Sequence, residues 1–148
     1  MTDPAAGVPA VVVDLDGTLC DTRAVAYLVE GEERDFAAFH AASADAPADP
    51  EVLAAVRAAH DAGDAVLVVT SREFVWRDLT LDWLARHEVP YDRLEMRIVG
   101  DYRPDHVVKA EILERLLADG FAPHTAWEDR DDVADVWREH GLTVHLVG

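Results

Sequence analysis

The chain has 148 residues, enough for one hydrophobic core and one domain. Half of the residues are hydrophobic, which excludes a disordered chain, and the formal net charge of −17 argues against sequence-independent nucleic-acid binding through a broad cationic surface. The single cysteine, Cys20, rules out an internal disulfide and fits a reducing, cytoplasmic setting, and no apolar run approaches the ~20 residues of a membrane span, so no membrane partner is expected.

Residues 1–8 read as a flexible leader without a basic or apolar signal region, and 9–148 as one domain. A first strand is predicted over Pro9–Asp14, where Val11-Val12-Val13 forms a buried β-branched run. Glu33 to Ser43 reads as a short helical excursion, broken by Ala46-Pro47-Ala48-Asp49-Pro50. Asp49 then caps a helix with Pro50 at its first position; Val52, Leu53, Val56 and Ala59 share a face and Gly63 ends it. Asp64–Thr70 is a second buried strand. A helix follows from Val75 to Glu88, with Val75, Leu79, Trp83 and Leu84 inward. Leu94–Val99 is a third strand. Pro104–Ala118 is an amphipathic helix with Val108, Ile112, Leu113 and Leu116 as its stripe. His124–Trp127, Asp131–His140 and Leu142–Val147 complete a strand–helix–strand sequence. The alternation predicts an α/β, Rossmann-like domain: a mostly parallel five-stranded sheet with helices on both faces.

The polar groups fall just after strands, on the edge where an open α/β sheet presents its ligands. Asp14 and Asp16 follow the first strand, Thr70-Ser71-Arg72 the second and Glu128-Asp129 the fourth, while Lys109 lies early in the helix after the third. Two carboxylates held together need a cation or a proton to relieve them, and Gly17 lets the chain turn at once. Together these residues supply a nucleophile, an acid, hydroxyl donors, a cation and a metal pair, the inventory for phosphoryl transfer through an aspartyl-phosphate.

The motif Asp14-Leu15-Asp16-Gly17-Thr18, followed in order by Thr70, Lys109 and Glu128-Asp129, resembles the four signatures of the haloacid dehalogenase (HAD) phosphohydrolases. A closer likeness runs through Trp76-Arg77, Thr80, Trp83, Met96-Arg97, Gly100 to Asp105, Val107-Val108-Lys109, Glu111-Ile112, Glu128-Asp129-Arg130, Val133 and Val136-Trp137-Arg138. This string is similar to the 3′-phosphatase domain of phage and bacterial polynucleotide kinase-phosphatases, which removes a terminal 3′-phosphate from DNA or RNA. The segment between Asp16 and Pro50 is too short for the family's full cap domain, which implies an open site suited to a macromolecular end. No Gly-x-x-x-x-Gly-Lys-Ser/Thr loop occurs in these 148 residues, so they hold no kinase half, and a kinase or ligase partner is a possibility that nothing in the sequence shows.

The resemblance implies roles residue by residue. Asp14 is the nucleophile, and Asp16 the general acid that later activates water, its backbone carbonyl also touching the metal. Thr70 and Ser71 bind phosphoryl oxygens, and Lys109, oriented by Asp105 one turn earlier, neutralises charge on Asp14 and the phosphate. Mg2+ is the expected cofactor, held by Asp14, Asp16 and Asp129, with Glu128 as a direct or water-mediated partner. Arg23 and Arg72 are substrate-binding arginines, and Arg77, Arg97 and Arg103 a cationic strip for the nucleic-acid backbone. Structural alternatives stand beside these: turn caps at Asp14 and Asp16, an N-cap at Thr70, a solvated lysine at 109, a surface arginine at 23. Trp83, Trp127 and Trp137 fall in apolar stripes and read as core, whereas Trp76 fits either core or a base-stacking role. The expected activity is thus a Mg2+-dependent polynucleotide 3′-phosphatase, on DNA or RNA. The alternatives are a small-molecule phosphatase such as a nucleotidase, or a non-catalytic module that binds phosphorylated ends.

Overall fold

The computed structural model describes residues 7–148, so most of the predicted leader lies outside it. Gly7 and Val8 do not: the first strand, β1, already begins at Val8 and spans Val8–Val13. Then come α1 (Phe36–Ser43), α2 (Pro50–Asp61), β2 (Ala65–Glu73), α3 (Arg77–Arg86), β3 (Arg93–Arg97), α4 (Asp105–Ala118), β4 (Phe121–Glu128), α5 (Asp131–Glu139) and β5 (Thr143–Leu146). The strands form one sheet in the order β3-β2-β1-β4-β5, and every pairing is parallel.

Period-two alternation along the central strands builds a core on each face. Val11, Val13, Val66 and Val68 point one way and meet Val52 and Val56 of α2 and Trp83 and Leu84 of α3. Ala10, Val12, Leu67 and Val69 point the other way, onto Ile112, Leu113 and Leu116 of α4 and Val133 and Trp137 of α5. Strands buried on both faces read as unbroken apolar runs, which is why β1 and β2 were the plainest elements of the sequence. Asp49 caps α2 as expected, its side chain accepting from the Glu51 and Val52 amides, with Pro50 in the first turn.

Three expectations need correction. β2 continues three residues past Thr70, because Glu73 pairs with Arg97 beyond a register shift. A 3-10 turn at Phe74–Trp76 precedes α3, which leaves Val75 exposed rather than inward. β3 stops at Arg97, so Ile98 and Val99 lie in the following loop and face solvent. Between β1 and α2 the chain contributes a 3-10 turn (Ala26–Val29) and the eight-residue α1, far less than a domain. Among the described residues no helix is long and apolar enough to cross a membrane.

Candidate active site

Asp14 sits just past the end of β1 with 5% of its surface exposed. Its Oδ1 accepts from Lys109 Nζ at 2.8 Å and its Oδ2 from Thr18 Oγ1 at 2.9 Å. Lys109, buried on α4, also donates to Glu128 Oε1 at 2.9 Å. Glu128, at the end of β4, has no exposed surface, and Trp137 Nε1 donates to the same oxygen at 3.2 Å. Glu128 Oε2 accepts from the Asp129 amide at 3.1 Å and the Arg130 amide at 3.5 Å. Four N–H groups therefore converge on Glu128, which supports Lys109 and the turn carrying Asp129. Asp129 itself is partly open, and Thr18 Oγ1 lies 3.3 Å from its Oδ1. Gly17 has φ +79°, and a Cβ there would lie 2.4 Å from Asp129 Oδ2. The glycine is thus required both by the left-handed turn and by the carboxylate against it.

The electrostatics follow from three carboxylates sharing one ammonium. Burial works against the charge on Asp14, but the Lys109 charge and hydrogen bonds outweigh it and hold the carboxyl below the usual range. Burial likewise opposes the Lys109 charge, and Asp14 and Glu128 override it, lifting its pKa above the ordinary lysine value. For the other two carboxyls nothing compensates fully. Burial, then the Asp14 charge, pushes Glu128 up to about 7; burial, then hydrogen bonding to Asp14 and its charge, pushes Asp129 up to about 9. With all four groups ionised the cluster carries two excess negative charges. Oxygen atoms of Asp14, Glu128 and Asp129 lie within 4.8 Å of one another. An all-oxygen cluster short of two positive charges fits Mg2+.

Asp16 stands apart from this trio. Arg72 Nε donates to its Oδ2 at 2.8 Å and Nη2 to its Oδ1 at 2.6 Å. Arg72 is 2% exposed, and Thr80 Oγ1 and Ser43 Oγ accept two further N–H groups of its guanidinium at 3.0 Å each. The expected phosphate grip of Arg72 is therefore a grip on Asp16, tying β2, α1 and α3 to the first loop. Thr70 is buried and its Oγ1 accepts from the Arg72 amide at 3.2 Å, while Ser71 Oγ has no partner. Asp14, Asp16, Thr70, Ser71, Arg72, Lys109 and Asp129 line one open cavity of about 720 Å³ at the C-terminal edge of the sheet, whereas Thr18, Ser43, Thr80, Glu128 and Trp137 stand behind it.

The remaining arginines and Asp105 are placed differently from expectation. Arg23 points to solvent and pairs with Asp21 at 2.6 Å, outside the cavity. Arg77 also lies outside it, near Asp78 at 3.7 Å and over the Phe74 ring. Asp105 does not touch Lys109; it pairs with Arg97 and with Arg130 at 3.3 Å, because the ammonium is drawn to the buried carboxylates instead. Arg97 is buried, bonded to the carbonyls of Ser71, Asp101 and Arg103 as well as to Asp105, so it organises the loop after β3 rather than a ligand. Arg103 lines the cavity but is forked onto Asp101 and Glu111.

Three contributors were missed: Thr18, Trp137, and a wall of Val29, Phe36, Phe39 and His40, which adjoins Trp76, the tryptophan that fitted either core or base stacking. For Thr18 the signal was its place four residues after Asp14 in the motif. For the wall there was none, since its members come from a 3-10 turn and the short α1, which lie between the motif-bearing strand ends in sequence and carry no motif.

The family model for the polynucleotide kinase PNKP phosphatase domain, of HAD type, matches residues 8–148. The chain belongs to this family. Two solved structures of the Pnkp1/Rnl/Hen1 RNA repair complex resemble the PNKP-type domain with TM-scores of 0.81 and 0.78 at 28% and 29% identity. They cover 95% and 94% of this chain but only 42% and 45% of theirs, so the chain spans less than half the length of those relatives. A class C acid phosphatase from Bacillus anthracis shares the fold at TM-score 0.70 and 14% identity, over 95% of this chain and 66% of its own. No curated protein matches the sequence. The domain is a HAD-type phosphatase.

Proposed function

We propose that this domain removes 3′-phosphates from DNA or RNA ends through an aspartyl-phosphate on Asp14. The observation that carries the reading is the buried Asp14 carboxylate, held ionised by Lys109, on the floor of an open cavity in a PNKP-family phosphatase. One Asp14 oxygen attacks phosphorus and forms the acyl-phosphate bond as the ester P–O bond breaks; the departing ribose oxygen takes a proton from Asp16. Asp16 then takes a proton from water, whose oxygen attacks phosphorus and frees Asp14. Both Asp16 oxygens keep lone pairs beyond those bonded to Arg72, so the fork orients the carboxyl without blocking it. Asp14 and Asp129 would hold Mg2+, which when bound would supply charge screening for the phosphoryl group. The filled hydrogen-bond complement of Glu128 supports a role behind that pair. Thr70 and Ser71 face the phosphoryl oxygens, and the unpartnered Ser71 Oγ supports this. A kinase or ligase acting on the same ends is the partner class the repair-complex relatives suggest.

A small-molecule reading is favoured by one observation: the cavity's cations are already paired within the chain. An oligonucleotide 3′-phosphate assayed beside a panel of small phosphate esters, with Mg2+, separates the two. The polynucleotide reading expects turnover of the oligonucleotide, abolished by Asp14→Asn because an amide cannot form the acyl-phosphate. Turnover confined to a small metabolite sinks it, and full activity in Asp14→Asn sinks the mechanism.

A further inference from the structure

The cavity is lined by two kinds of residue. One set is the acid cluster; the other is apolar and aromatic, and phosphoryl transfer makes no use of it. Phe36 is 56% exposed, Trp76 half-buried, and Tyr102, on the loop after β3, 86% exposed; all three line the cavity. Large aromatic side chains left open beside a charged site mark a binding surface rather than a core. His40 lies beside Trp76, the two ring centroids 5.4 Å apart, and lines the cavity with them.

The charge pattern points the same way. Five cations line the cavity: Arg72, Arg97, Arg103, Lys109 and Arg130. Each is already paired, to Asp16, Asp105, Asp101 with Glu111, Asp14 with Glu128, and Asp105 with Asp132 respectively. A chain of net charge −17 with its cavity cations neutralised offers little hold on a run of backbone phosphates. A cavity of about 720 Å³ is nevertheless roomy enough for a nucleoside beside its phosphate.

We propose that the substrate end is recognised through its terminal nucleobase, stacked on the aromatic side chains that line the cavity (Phe36, His40, Trp76 and Tyr102), and not through upstream phosphates. This rests on the polynucleotide reading and narrows it to one nucleotide. Stacking accepts every base, since each has a π face, so the site reads the presence of a base rather than its identity.

The test compares two oligonucleotide 3′-phosphates of equal length, one ending in an ordinary nucleotide and one in an abasic sugar. The wild type is expected to favour the base-bearing end by roughly tenfold or more in kcat/KM, through KM. Tyr102→Ala and Trp76→Ala should each reduce that ratio several-fold, and Trp76→Phe should restore it. Tyr102 is exposed enough that its variant keeps the fold, which thermal unfolding checks. A wild-type ratio near one, or equal losses on both ends in the variants, overturns the proposal. If the wild type releases phosphate from neither oligonucleotide but does so from small esters, the polynucleotide reading falls, and this proposal with it.

Discussion

Gly17→Ala tests the geometry that couples the first loop to Asp129. Two effects separate cleanly. Gly17 has φ +79°, and placing a side chain in that left-handed region costs roughly 1–2 kcal/mol. For a domain of this size that lowers the melting temperature by about 2–8 °C. The second effect is a collision: the new Cβ would stand 2.4 Å from Asp129 Oδ2, where ordinary contact begins at 3.4 Å, so the carboxylate must retreat by about 1 Å. Misplacement of that size costs on the order of 10²-fold in rate, and disturbed metal support costs about 10–100-fold in metal affinity. The assay is phosphate release against Mg2+ concentration, alongside thermal unfolding. Gly63→Ala is the matched control. Its φ is +95°, yet nothing lies within 4 Å of the Cβ it would gain, so it should lose similar stability and keep its Mg2+ dependence. If Gly17→Ala melts lower but needs no more Mg2+ than the wild type, Asp129 is not the ligand and the coupling argued here is wrong.

Lys109→Met should destabilise the fold by about 3–5 kcal/mol in urea unfolding, because it strips the ammonium from buried Asp14 and Glu128; an unchanged midpoint would show that the cluster does not depend on it. Arg72→Lys keeps the charge but loses the fork on Asp16, so kcat should fall by about 10²-fold or more on an alkyl phosphate and much less on nitrophenyl phosphate, whose leaving group needs no acid; equal losses on both would refute Asp16 as the acid. Cys20 is buried, and burial followed by the Asp16 charge pushes its thiol up to about 12, so labelling by a thiol reagent at pH 8 should track global unfolding. Because the folded value lies above the ordinary 9.0, the corresponding stability is intact below pH 9 and fades as pH rises toward 12, which denaturant unfolding across that range measures.

How far the sequence could be read depended on whether a feature was carried by periodicity or by tertiary pairing. The parallel sheet was legible because Val11–Val13 and Val66–Val69 are buried on both faces and announce themselves as apolar runs. The α4 stripe of Val108, Ile112, Leu113 and Leu116 was legible for the same reason at helical period. Site residues at strand ends were legible by topology, since a parallel sheet gathers them on one edge. Partner choice was not. Whether Arg72 turns toward a ligand or toward Asp16 depends on Ser43 and Thr80, which lie 29 and 8 residues away and carry no mark of that role. Asp105 was assigned to Lys109 from helical spacing, but spacing ranks only local neighbours. Asp14 and Glu128, 95 and 19 residues distant, win the ammonium because burial makes an unpaired carboxylate costly there. Val75 misled because an apolar residue at the right period was counted inward, while the 3-10 turn it belongs to had rotated the register.

The same pairing explains how so acidic a chain can accommodate a phosphate ester. The −17 is a surface sum, and the cavity has its own balance. Asp16 with Arg72 and Arg97 with Asp105 are each locally neutral, leaving the excess charge of the Asp14–Glu128–Asp129–Lys109 cluster as the dominant local term. With its carboxyls ionised that term is negative and would repel a phosphate on its own. A divalent cation brings it to neutrality, and Asp129, the most open of the three carboxylates, is the one that gains most from the change. Ester binding and metal binding are then expected to be cooperative: substrate KM should fall as Mg2+ rises, not merely kcat increase. A KM independent of Mg2+ would mean that the ester is held by something other than the relief of this charge.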